Sequence, residues 1–117
     1  MSRAASVHPL LSGYRTAKAR LALAEQRLKR LEKDKTDLIL EAEQSRRAAI
    51  AAIDDTDTAL ARLPVRERRT LEVLFCEAND FPFDLLCDEF FCDERTVYRV
   101  RRTALKHFSE IVAPQRT

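Results

Sequence analysis

The fold class expected of this chain is all-α, and three observations predict it. No Gly or Pro interrupts Tyr14 to Leu63, where Ala, Leu, Glu, Lys, Arg and Gln dominate, the residues that lose least on entering a helix. The 117 residues hold one Gly and four Pro while 34% are charged, a balance that favours long helices over sheets and turns. Toward the C-terminus, apolar residues recur with helical period in two blocks separated by a tight turn. Residues 1–61 are therefore read as an N-terminal helical, coiled-coil-like segment and 62–117 as a C-terminal helical domain.

Met1 to Pro9 is short, polar and without periodicity, so it reads as a frayed start. Beyond Tyr14, Leu21, Ala24, Leu28, Leu31, Leu38, Ala42, Ala49 and Ala52 share one seven-residue repeat, interrupted at Lys35 and Ser45. Past Leu38 the large apolar residues move over by one position: Ile39, Ile53 and Leu60 form a register of their own, with Ile50 beside it. Helical drift of about 20° per heptad is too slow to produce that shift. A break explains it better, and the polar run Lys33-Asp34-Lys35-Thr36-Asp37 is the place for one. Thr36 or Asp37 would cap a second helix there, with Glu41 in its first turns. The segment is thus one long helix or a hairpin of two. Its seam is poor in large side chains, so something must cover it. Pairing with a second copy of the chain and packing within one chain are both open. Asp54, Asp55 and Asp57 read as a solvated acidic turn, because helix neighbours one apart do not converge and no Gly shapes a calcium loop around them.

Leu63-Pro64 then punctuates the chain. Pro64 opens a helix running to about Ala78, with Leu71, Leu74, Phe75 and Ala78 facing in and Arg66, Arg68 and Arg69 facing out. Asn79-Asp80 ends it, since both residue types tolerate the left-handed conformation of a helix exit. Pro82 starts a short helix that would bury Leu85, Leu86 and Phe90, and Asp84 in its first turn suits the helix dipole. Asp93 takes the cap position of a last helix, 93–108, that would bury Val97, Val100, Ala104, Leu105 and Phe108. Arg95, Tyr98, Arg99, Arg102 and Lys106 then share its opposite face, and Pro114 marks the tail. A short helix, a turn and a longer helix with a basic outer face make the pattern of a helix-turn-helix.

The formal net charge of +2 carries little information, but its distribution does. From Asp93 to Phe108 five basic residues face two acidic ones, a stripe suited to a phosphate backbone. Cys76, Cys87 and Cys92 are odd in number and include no C-x-x-C pair, so they read as small buried hydrophobes, and neither a disulfide framework nor a zinc site with His107 is expected. No apolar run is long enough to cross a bilayer and no signal peptide is read, which makes the cytoplasm the expected compartment. Nothing points to an enzyme. There is no nucleophile with a paired base and no Gly-rich phosphate loop, and the two histidines are His8 and His107. No cofactor is expected.

The stretch from about Leu60 to Val112 resembles region four of bacterial sigma factors. It is still more similar to the small phage late-gene regulators of the RinA/ArpU type. The matching residues are Leu63-Pro64, Glu67-Arg68, Leu71 and Leu74, Leu86-Cys87, Thr96-Val97-Tyr98-Arg99, and Ala104-Leu105 with Phe108. Phe91 stands where the family has Gly in the turn, Asp93-Glu94 where it has Ser and a following, often basic, residue, and Pro82 where it has Ser or Thr.

The resemblance implies a transcriptional regulator of phage or prophage origin that reads double-stranded DNA in the major groove. By carry-over, Arg95 and Arg99 would reach base edges and Tyr98 a phosphate or thymine methyl. Arg102 and Lys106 would grip phosphates with Arg68 and Arg69, and Thr96 lies within the same motif. A homodimer through the N-terminal helices would set the half-site spacing. Two other roles fit the same layout. One is a small terminase-like packaging subunit. The other is an interaction module, docking on RNA polymerase or acting as a coiled-coil adaptor, which the acidic pair Asp93-Glu94 favours.

Overall fold

The structure, a computed structural model, describes residues 6–31 and 35–113. Among them the chain is all-α, with no strand. Three punctuation points set its course: the break after Leu31, Leu63-Pro64, and the exit near Glu77.

The chain enters through a short helix, α1 (Pro9–Ser12). Pro9 sits in its first turn, and the Leu10 N–H donates to His8 Nδ1 at 3.1 Å. The expected frayed start is corrected over the described part of that segment. Val7 and Leu10 pack on the core, Leu11 is 1% exposed, and the His8 ring meets Phe108 edge-on at 5.6 Å. Met1 to Ala5, and Pro114 in the tail, lie outside the described residues.

Next come α2 (Tyr14–Arg30) and α3 (Thr36–Ala61), so the long segment is two helices. The break opens at Leu31, two residues ahead of the expected polar run, and α3 begins within that run at Thr36; Lys33 and Asp34 lie outside the described residues. Lys35, not Thr36 or Asp37, occupies the cap position of α3, and Asp37 lies in its first turn. The start of α2 meets the end of α3: the Tyr14 hydroxyl donates to Asp57 Oδ1 at 2.9 Å, and Tyr14 and Ala17 pack with Ile53. The pair is therefore antiparallel. Ala24, Ala42 and Ala49 are buried along it, and such small side chains let helix axes approach closely. The two registers read in the sequence are neighbouring columns of one buried face of α3, Ala42-Ala49-Thr56 beside Ile53-Leu60. Leu38, placed on the seam by its spacing, is exposed. Asp54 and Asp55 are exposed in the last turns of α3, and Asp57 beside them accepts from Tyr14.

Pro64, extended at φ −55°, precedes α4 (Val65–Leu71), which widens into a π-helical turn over Glu72–Cys76. The helix ends there, two residues before the expected Ala78, which is exposed. Nor do Asn79 and Asp80 adopt the left-handed conformation. Glu77 turns extended instead, and Asn79 Nδ2 donates to the Val73 carbonyl at 3.3 Å. Leu71 and Val73, two apart, are both fully buried, because α4 is covered on two sides. Leu71 faces the main core, built from Leu11, Ala59, Leu60, Leu63, Ala104, Leu105 and Phe108. Val73 faces a smaller cluster with Leu86 and Val97. The main core draws on both sides of residue 62, so the two segments read in the sequence share one interior.

Candidate nucleic-acid interface

The short helix α5 (Pro82–Phe90) and the long helix α6 (Glu94–Val112) are joined by three residues. Phe91 takes the left-handed conformation, φ 53° and ψ 49°, and the Cys92 N–H closes the turn onto the Cys87 carbonyl at 3.1 Å. That six-residue closure is how a helix commonly ends before the chain reverses, with Gly as its usual left-handed residue. Here Phe fills the position, and the residue is 95% exposed.

Asp93 then starts α6. Its Oδ1 accepts from the Thr96 N–H at 2.9 Å and the Thr96 hydroxyl at 2.7 Å. These bonds, the hydroxyl's first, hold the Asp93 carboxyl below its ordinary range, with Arg95 nearby adding to the effect. Thr96, one of the expected DNA contacts, has its hydroxyl donor engaged in the cap.

α6 runs four residues past the expected end and turns Val97, Ala104, Leu105 and Phe108 inward, with Val100 half-buried. Arg101 also leans inward, its guanidinium 6.0 Å from the Phe75 ring centre. Arg95, Arg99, Arg102 and Lys106 are all exposed. Steps of four, three and four residues keep them in one column about 16 Å long at 1.5 Å rise per residue. None of the four forms an ion pair among the described residues, and the helices of the N-terminal segment do not cover them. Glu94, also exposed, pairs with none of them. Neither carboxylate at the start of the helix forms an ion pair with the stripe.

No protein-family model, curated protein or solved structure matches this chain.

Tyr98 lies beside the stripe, stacked on Phe83 with ring centres 4.5 Å apart, so one ring face is held by α5. Arg68 is half-buried and unpaired among the described residues. Arg69, expected beside the phosphates, is engaged by two carboxylates. Its Nε donates to Glu89 at 2.9 Å and its terminal nitrogen to Glu77 at 2.7 Å, which ties α4 to the exit of the π turn and to the end of α5. Leu85 is corrected as well: at 36% exposed it points outward, while Leu86 is buried and Phe90 lies half-buried under the Arg66 guanidinium. His107 meets Glu67 at 2.7 Å across α4 and α6.

Sequence reasoning missed Phe83 as the support of Tyr98. It also missed the carboxylate clamp on Arg69, although a signal existed. No Lys or Arg occurs from Thr70 to Glu94, whereas that stretch holds eight carboxylates. The basic residue flanking it is the natural partner for them.

The described residues contain no group of three His, Cys, Asp or Glu able to hold a metal ion. The three cysteines are unbridged and half-buried rather than fully enclosed. The Cys76 thiol is pushed up to about 12, chiefly by burial, and so is poorly suited to act as a thiolate. No described helix is long and apolar enough to cross a membrane.

Proposed function

We propose that this chain is a sequence-specific DNA-binding protein of the phage-regulator kind, reading the major groove with α6. One observation carries the reading: four exposed cations, unpaired among the described residues, stand in a column on a helix whose opposite face is locked in the core. A cation column on a rigid rod meets a duplex without the ordering cost that a flexible tail would bear. In this reading Arg95 and Arg99, nearest the start of α6, address base edges, where Arg bonds guanine through two parallel hydrogen bonds. Arg102 and Lys106 address phosphates and set the register. The acidic stretch around α5 repels a duplex from the α5 side and so favours approach along the basic column of α6.

Within one chain the α2–α3 pair buries Ala17, Ala24, Ala42, Ala49 and Ile53 of the seam, while Leu38 stays exposed. A second copy, joined through surfaces that this packing leaves in solvent, would set the half-site spacing. The test is enrichment of duplexes from a random pool, followed by binding of variants. Arg99→Ala is expected to cost about 1–3 kcal/mol on the enriched site and to relax base preference, whereas Lys106→Ala weakens all sequences alike. Equal losses on enriched and scrambled duplexes for Arg99→Ala would contradict the assignment. Failure of any duplex to enrich would move the basic column to a protein partner.

A further inference from the structure

We infer that two copies of this chain dock through the outer face of α2 on one and the outer face of α5 on the other. Each face leaves apolar side chains in solvent between charges of one sign. On α5, Asp84, Leu85 and Asp88 fall within about 100° of one another at 100° per residue, and Phe81 precedes them on the same side. All four are exposed, Phe81 at 71%. Phe91 continues this surface at the turn, in a conformation that costs energy and with its ring in solvent. A strained residue with an exposed aromatic ring is a mark of an interaction site rather than of folding. The surface is thus apolar at its centre and acidic at its margins.

The outer face of α2 has the opposite charge. Leu23 is 59% exposed, and Arg30, Arg27 and Arg20 lie about 20°, 40° and 60° from it around the helix. Across all of α2 six basic residues face one acidic residue, Glu25. Arg20 to Arg30 spans about 15 Å and the nine residues of α5 about 13 Å, so the two faces are matched in length as well as in charge and apolar centre. Leu23 would seat against Leu85 and Phe81, with Arg27 and Arg30 against Asp84 and Asp88.

This contact uses no α6 residue and stands whether or not α6 reads DNA. Mixing complementary charge reversals tests it, followed by light scattering of the full chain. The wild type is expected to show a mass above the 13.5 kDa of one chain at low salt and to shift toward it as salt screens the pairs. Arg27→Glu and Asp88→Lys, both at exposed helical positions, should each weaken association by more than about tenfold, since like charges then face each other. An equimolar mixture of the two variants should recover it. In the mixed pair, one contact sets the carboxylate introduced at position 27 against the ammonium introduced at position 88, and the other keeps the original Arg27 and Asp88. Circular dichroism of each variant shows whether it is folded. A wild type that stays at the mass of one chain would overturn the proposal, as would single variants that associate normally or a mixture that fails to recover.

Discussion

At residue 91 the chain holds a phenylalanine where the backbone asks for glycine. An L-residue in the left-handed region carries roughly 1–2 kcal/mol of strain, and here almost no burial offsets it. Phe91→Gly is therefore expected to stabilise the fold by about 1 kcal/mol in urea unfolding, less the added freedom of the unfolded chain. No change or a loss would mean that the ring makes a folded-state contact. Tyr14 supplies a pH dependence. Burial first, and then the bond to Asp57, raise its hydroxyl from 10.0 to about 12. The protonated form is favoured in the folded state, so this stability is fully present below pH 10 and is lost as pH rises toward 12. Tyr14→Phe should flatten the alkaline limb of a thermal-stability profile between those values. Asp93 as a cap was legible in the sequence because capping is local chemistry. The outward turn of Leu85 was not, since on a short helix a small rotation decides which of two adjacent leucines is buried.

The polar run from Lys33 to Asp37 pointed to the break between α2 and α3, whereas the register shift after Leu38 proved to be two columns of one face within α3. Whether the seam would be filled from within or by another chain depends on tertiary packing, which periodicity does not encode. α1 was invisible for a different reason: four residues are too few to show a period, and what fixes them is contact with α3, α6 and the π turn. Leu11 is the measure of that contact. Leu11→Ala should destabilise by about 2–5 kcal/mol, the range for a buried leucine, with loss of cooperativity if α1 detaches alone. A change under roughly 0.5 kcal/mol would match a surface position and would mean that α1 is not docked in solution. The π turn was equally unreadable; it begins where Leu71 and Val73 are buried against different neighbours.

Over the whole molecule, charge is sorted by element: α2 and the outer face of α6 are basic, and the stretch from Glu72 to Glu94 is acidic. That sorting was legible in the sequence, as was the helical class, because both follow from composition along the chain. That acidic stretch also hinted that Arg69 would be paired, but not with which carboxylates, since one partner lies twenty positions away. The central claim is that the α6 column meets phosphates, and the salt dependence of duplex binding tests it most directly. Each phosphate contact contributes a slope of roughly −0.9 in log K against log salt. The wild type should show a steep negative slope, and Arg102→Ala combined with Lys106→Ala should reduce its magnitude by about 2. A flat dependence, or an equal slope in the double variant, would contradict the account.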